Sequence, residues 1–287
     1  MLKIENTEVM GWEAAIRGMR NPMNSWEKSD SEFITSDGDH HDICGNSGPW
    51  FGSDGWEEVL IGENDLNLMT TLRNAGTDHR KFMRMITVYF DITAPLYWWK
   101  EFDTYKVGTV ANSCSTMHKI ADKEFVLDDF SYEHLLSFTS EGDERKIPFV
   151  DVSPYTENNI TFSPTGVLEC IIIPILNRCR DRFLESKDKK YWWQMIQLLP
   201  SSYNQKRTVM LNYEVLANIY KSRRNHKLDE WHTFCDWIER LPYSKLITGL
   251  STKDIECNIT LPSNDMILGN AAPFDLKPEN FKENNDV

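Results

Sequence analysis

The chain has 287 residues, with 31 basic against 44 acidic side chains for a formal charge of −13, and 40% of it is hydrophobic, including ten tryptophans. That is enough apolar material for one large domain or two small ones, and too much for a disordered chain. The longest apolar run, Val167 to Leu176, is interrupted by Glu169 and Pro174 and falls short of the roughly 20 residues of a membrane span, while the acidity disfavours general binding to nucleic-acid phosphates.

The first residues, Met1-Leu2-Lys3-Ile4-Glu5, lack the apolar stretch of a secretion signal. Residues 8–20 carry Val9, Trp12, Ala15, Ile16 and Met19 at helical spacing, and Asn21-Pro22 ends that predicted helix. Residues 27–56, rich in Asp, Gly and Ser, read as an extended acidic loop; from Glu27 to Asp65 there are eleven acids against one base, Lys28. Residues 64–75 are predicted helical, capped by Asn64 and closed by Gly76. Met83 to Ala94 is β-branched and aromatic, a strand pattern that Pro95 ends, and Leu96 to Phe102 is helical. Residues 122–163 are polar, with a predicted helix near His134 and a loop containing Pro148 and Pro154.

Apolar stripes predict four helices in the second half: Gly166 to Glu185, Lys189 to Leu199, Arg207 to Arg224 and Leu228 to Leu241. The segment from Asn204 to Glu230 is locally basic, with six bases against three acids, which suits a small pocket for one anion. The tail from Thr252 reads as a peripheral wrap. The six cysteines are scattered without a CxxC pair, the pattern of reduced thiols in a cytoplasm, and no metal site is expected. Asp37-Gly-Asp39-His40-His41-Asp42 has metal-ligand residue types, but adjacent histidines in an acidic loop seldom close a site.

Two segments carry candidate chemistry. On a helix through 207–224, Asn212 and Arg223 fall within ~20° of one face and about 16 Å apart, with Leu216 and Ile219 between them. Burying either polar group costs free energy unless a partner is supplied, so both sit at the stripe's edge in solvent or both serve a ligand. The second segment, Tyr105 to His118, packs small hydroxyl and amide side chains around Gly108, directly after the aromatic residues Tyr97, Trp98, Trp99 and Phe102. Such a loop either presents backbone N–H groups to a phosphate or is an ordinary turn. His79 and His118 are candidate acid/base groups, though a lone histidine is by default structural or on the surface, and neither a catalytic triad nor a phosphate loop is present.

Three blocks, in order and approximate spacing, resemble the flavin-dependent thymidylate synthases. They are Gly76-Thr-Asp-His79 with the strand through Ala94-Pro95; Asn112-Ser-Cys-Ser115-Thr116, similar to the end of the signature RHRxxSxNExSxR; and Leu199-Pro200 through Asn212, Leu216 and Asn218 to Arg223, followed by Trp231. Together they cover roughly residues 65–120 and 190–240.

The resemblance implies an α/β (α+β) fold, a twisted, mainly antiparallel sheet with packed helices and a helical C-terminal half. It implies one domain over 1–287, with an acidic insertion at about 27–60, a variable insertion at about 121–163 and a peripheral tail at about 252–287. It further implies reductive methylation of dUMP to dTMP with FAD, NADPH and methylenetetrahydrofolate, in a homotetramer. Arg223 is similar to the arginine that orients the uracil ring and would act catalytically by stabilising charge developing on it. Glu101, Ser113, Ser115, Lys206 and Arg207 are the implied substrate-binding residues, Glu101 standing where members often have glutamine. His79, Lys106, Asn112, Asn212, Asn218 and His226 are the implied flavin-binding set. The chain departs from the family where the RHR triplet gives way to residues in Thr104-Tyr105-Lys106-Val107, where the signature's Glu and last Arg are Ser113 and Met117, and where a Glu-His pair is Arg84-Met85. Those departures suit a hydroxymethylase of a pyrimidine nucleotide on the same scaffold, or a non-catalytic homologue that binds a nucleotide or a partner.

Overall fold

The computed structural model describes residues 2–35, 40–42, 56–138, 148–155 and 160–249, with the side chains of 35, 40–42 and 56–58 outside that description. In chain order, strand β1 (Lys3–Met10) leads into helix α1 (Trp12–Arg20), followed by strands β2 (Glu32–Thr35), β3 (His40–Asp42) and β4 (Trp56–Leu60) and helix α2 (Glu63–Asn74). A short 3-10 turn (Arg80–Arg84) precedes β5 (Thr87–Pro95), α3 (Leu96–Phe102), β6 (Val110–Ser113) and α4 (Thr116–Lys119). The small strands β7 (Val150–Asp151) and β8 (Thr161–Phe162) come next, then α5 (Pro164–Val167), α6 (Ile173–Ser186) and α7 (Lys189–Leu198). Strand β9 (Asn204–Asn212) and helices α8 (Tyr213–Arg223), α9 (Asp229–Glu239) and α10 (Lys245–Thr248) complete the order.

The main sheet runs β1-β5-β9-β6, and each of its pairings is antiparallel. Strand β5 alternates: Val88, Phe90, Ile92 and Ala94 are buried, while Tyr89 points to the open side. Val209 and Leu211 extend that buried face on β9, where they share a core with Trp12, Ile16, Leu216, Ile219, Trp231, Phe234 and Ile238. The sheet therefore has one face covered by helices and one polar face, as period-2 patterning dictates. On the polar face Asp91 takes hydrogen bonds from Thr208 at 2.6 Å and Asn6 at 2.9 Å and pairs with Lys206 at 3.0 Å. The Thr208 hydroxyl, more than any other neighbour, holds the Asp91 carboxyl below its usual range. A second cluster, built on Phe125, Phe130, Leu168, Leu176 and Met195, lies under α6 and α7.

The antiparallel sheet and helical second half are as the resemblance implies, with several corrections. Residues 8–20 are not one helix: Val9 belongs to β1, paired with Val88, and the helix begins at Trp12 after Gly11. Gly11 has φ 92, and a Cβ there would lie 2.1 Å from the Met85 carbonyl oxygen, so only glycine makes that corner. The acidic stretch is not all loop, because β2 pairs with β3 and β4. Asn64 is not the cap of α2; Gly62 is the N-cap residue, and Asp30, from 34 residues back, accepts from the Asn64 and Asp65 amides at 2.9 and 3.1 Å. The 83–94 strand starts only at Thr87, after the 3-10 turn. Residues 133 and 134 form a turn where a helix was expected. The 207–224 segment divides at Asn212: nine-residue pairing with β5 draws its first part into the sheet. The helix expected from 166 holds as α5, a π turn over Leu168–Ile172 and α6. The tail from 252 lies outside the described residues.

One buried ion pair fastens β2 to the core. Asp65, fully buried, accepts from Arg20 Nε at 2.6 Å and from the Ser29 and Ser31 hydroxyls at 2.6 Å each. Arg20 in turn donates to the carbonyls of Ser25 and Lys28. Removing one partner leaves an uncompensated buried charge, so Asp65→Ala is expected to cost about 3–5 kcal/mol. Urea unfolding should show the midpoint falling with little change in slope; an unchanged midpoint contradicts this role.

Candidate active site

The two residues singled out by spacing stand at opposite ends of α8. Asn212 is the N-cap of that helix: its side chain accepts from the Val215 amide at 3.1 Å, which leaves its own amide N–H groups to other acceptors. Arg223 ends the helix eleven residues on, so the two bracket α8. Between them Leu216 and Ile219 are fully buried.

Arg223 lies in an aromatic bracket. Its guanidinium sits 4.8 Å from the Trp231 ring centroid and 5.6 Å from that of Tyr105, and its Nε donates to the Tyr105 hydroxyl at 2.9 Å. Its Nη1 donates to Glu101 Oε2 at 2.7 Å, and the same oxygen accepts from Trp231 Nε1 at 2.9 Å. His226 Nε2 approaches that oxygen at 3.3 Å, while its Nδ1 accepts from the Leu228 amide at 3.2 Å. Trp231 is buried against Trp98 and Phe234, with centroids 4.7 and 5.8 Å away, which fixes this arrangement to the core. The cluster thus offers a partly exposed guanidinium of fixed orientation, suited to an acceptor on a flat ring.

His226 also lines a cavity of 490 Å³ with Arg224, His232, Cys235, Asp236 and Glu239. Burial pushes the Cys235 thiol up to about 11, so it is no nucleophile at neutral pH. Beside it, burial and then the Glu239 hydrogen bond raise the Tyr220 hydroxyl to about 12.

The other expected site residues are spread along the sheet and its loops. Lys206 and Arg207 project from opposite faces of β9: Lys206 pairs with Asp91, whereas Arg207 bonds Asp103 at 2.7 Å and Gln205 at 3.1 Å and lies 4.0 Å over the Trp99 ring. Ser113 stands opposite Arg207 and Asn112 opposite Thr208, both exposed on β6. Ser115 caps α4, accepting from the His118 amide at 3.2 Å. His79, Lys106 and Asn218 are exposed, His79 in the turn before Arg80 and Asn218 midway along α8. Gly108, at φ 78, brings the 106–110 loop against α8; a Cβ there would lie 2.8 Å from Asn212 Nδ2 and 3.2 Å from Val215 Cγ2. Next to it the buried Thr109 hydroxyl has no hydrogen-bond partner among the described residues. The side chains of the Asp37–Asp42 candidate lie outside the described residues, and among the described residues no group of three His, Cys, Asp or Glu side chains could hold a metal ion.

Tyr105, Trp231 and the trio Arg80, Arg84 and Glu214 were not foreseen as site residues. Tyr105 had a signal, its place where the family signature carries its basic triplet. Glu214, in the first turn of α8, accepts from Arg80 at 3.1 Å and from Arg84. Burial pulls its carboxyl upward, but the Arg84 and Arg80 hydrogen bonds outweigh that and lower it overall. A depressed carboxyl stabilises the fold above its unfolded value, 4.5, and loses that contribution as pH falls through the folded value. Glu214→Gln should therefore flatten the acid limb of the stability–pH profile below about pH 4.5; an acid limb identical to the unsubstituted protein removes this contribution.

No family model and no curated protein matches this chain. Solved structures do. The chain superposes on thymidylate synthase X from Helicobacter pylori with FAD and dUMP at TM-score 0.53 and 16% identity, covering 87% of this chain and 98% of that one. A second structure from Helicobacter pylori, a flavin-dependent thymidylate synthase complexed with FAD and dUMP, gives TM-score 0.50 and 15% identity over 86% and 98%. This chain has the fold of the flavin-dependent thymidylate synthases. No helix among the described residues is long and apolar enough to cross a membrane.

Proposed function

We propose that this protein is a divergent flavin-dependent enzyme that transfers a one-carbon unit to C5 of a pyrimidine nucleotide, with dUMP as substrate and dTMP as product. The observation that carries the reading is the Arg223 guanidinium, fixed by Glu101 and Tyr105 and bracketed by two rings. Arg223 would hold a base carbonyl oxygen and stabilise negative charge developing there. Glu101 keeps the guanidinium in place, and His226 sets the orientation of Glu101. Ser113, Ser115 and Arg207 would lie along the nucleotide, Arg207 exchanging Asp103 for a phosphate.

FAD fits the loop against α8. Gly108 lets the loop backbone approach Asn212 closely, the Asn212 amide N–H groups would be donors for a ring carbonyl, and the adjacent buried Thr109 hydroxyl has no partner among the described residues. Asn218, Asn112, His79 and Lys106 would complete the hold, with Lys106 as the cation for a phosphate. FAD would supply the hydride, with NADPH as reductant and methylenetetrahydrofolate as carbon donor. The homotetramer belongs to the same proposal.

Two measurements test this. Purified protein should be yellow or become so with FAD, showing flavin absorption in the visible range. Arg223→Ala should weaken dUMP binding roughly 10- to 100-fold, the loss expected for a charge-assisted hydrogen bond, in a protein that still unfolds cooperatively; undiminished dUMP binding takes Arg223 out of the site. A non-catalytic nucleotide-binding homologue is the second reading, favoured because Tyr105, in the place of the signature's basic triplet, spends its hydroxyl on Arg223. Colourless protein that binds dUMP and never takes up FAD selects it.

A further inference from the structure

The ion pair at the end of α8 leaves two polar atoms unengaged. Glu101 Oε2 accepts from Arg223 Nη1 at 2.7 Å and from Trp231 Nε1 at 2.9 Å, with His226 Nε2 at 3.3 Å. The second carboxylate oxygen, Oε1, has no partner among the described residues. Arg223 spends Nε on the Tyr105 hydroxyl and Nη1 on Glu101, and its Nη2 likewise has no partner among the described residues. Both side chains are partly exposed, and neither atom is among the buried ones that lack a partner, so both reach solvent. A free donor and a free acceptor thus stand side by side, on two groups joined by one ion pair.

What surrounds the pair holds it in place. The Trp231 and Tyr105 rings lie 4.8 and 5.6 Å from the guanidinium, and Trp231 packs against the buried Trp98 ring. A half-turn of the carboxylate only exchanges its two oxygens, so one acceptor always stays free. Paired with a guanidinium, the carboxylate can accept but not donate, whereas an amide at the same position could turn an N–H outward.

Such an edge selects a ring that presents an acceptor next to a donor. Uracil does so with a penalty. Its N3–H is flanked by two carbonyl oxygens, so the one that Arg223 does not hold lies against the carboxylate and is repelled. Cytosine presents ring N3 beside an exocyclic amine at the end of its edge, with no carbonyl beyond, and a glutamate suits that amine as acceptor. Building on the pyrimidine-nucleotide reading of this site, we propose that it takes a cytosine nucleotide at least as tightly as dUMP: Arg223 Nη2 donates to ring N3, and Glu101 Oε1 accepts from the exocyclic amine. Glu101 is thereby the residue that sets the base preference.

Calorimetric titration of the full chain with dCMP, with dUMP and with the deoxynucleotide of pyrimidin-2-one, which lacks the exocyclic group, tests this without any substitution. dCMP should bind at least as tightly as dUMP, and the pyrimidin-2-one nucleotide about tenfold or more weaker than dCMP, the loss of one hydrogen bond to a charged group. Glu101→Gln, which turns an N–H outward, should lower the ratio of dCMP to dUMP affinity by about tenfold or more. Weaker binding of dCMP than of dUMP overturns the inference, as does a pyrimidin-2-one nucleotide that binds as well as dCMP, or an affinity ratio that Glu101→Gln leaves unaltered. These results leave the nucleotide site itself standing. If neither dCMP nor dUMP binds, the nucleotide reading fails and this inference falls with it.

Discussion

One carboxylate oxygen organises the candidate site. Glu101 Oε2 accepts from Arg223 at the end of α8 and from Trp231 in α9, and lies 3.3 Å from His226 in the turn between them, a short run of chain that Glu101 meets from 122 or more positions away. An ionised oxygen accepting several N–H groups is worth more than neutral pairs, because charge assistance shortens and strengthens each bond. The arrangement also offsets the cost of placing Arg223 between two rings, since a guanidinium drawn partly out of water needs a counter-charge. Arg223 is thereby held as a fixed donor and not as a mobile surface cation.

That hub works because its supports are rigid. Glu101 stands on α3, which begins directly after β5, the strand paired on both sides at the centre of the sheet. Trp231 is wedged among Trp98, Phe102 and Phe234. Ring packing of this kind adds directional preference to plain burial. Sharing a fold at 16% identity is physically unsurprising: a core accepts many apolar sets of similar volume, provided the burial pattern is kept.

The polar residues show where the chain has gone its own way. Arg84 is turned onto Glu214 together with Arg80, so these charges are consumed within the protein. Lys206, expected beside Arg207, is instead paired with Asp91 across the open sheet face. In a strand neighbouring residues face opposite ways, so a basic dipeptide in β9 cannot act as one cationic patch.

Much of the architecture was readable from residue order. Alternation marked most of β5, Pro95 its end, and the stripe Trp231, Phe234, Cys235 and Ile238 the buried face of α9, because burial on one side leaves a period in the sequence. The stretch from Asn212 to Arg223 is helical as its spacing implies, but the helix does not reach back to Arg207, since the same apolar residues satisfy a strand followed by a capped helix. Only tertiary pairing with β5 decided between them, as it decided that Lys3–Met10 is a strand, and only the tertiary fold brings the Asp30 carboxylate to the first amides of α2. The convergence of Glu101, Tyr105, Arg223, His226 and Trp231 likewise had no local signature: hydrogen bonds between groups up to 130 residues apart are set by how helices pack, and no short-range periodicity encodes them.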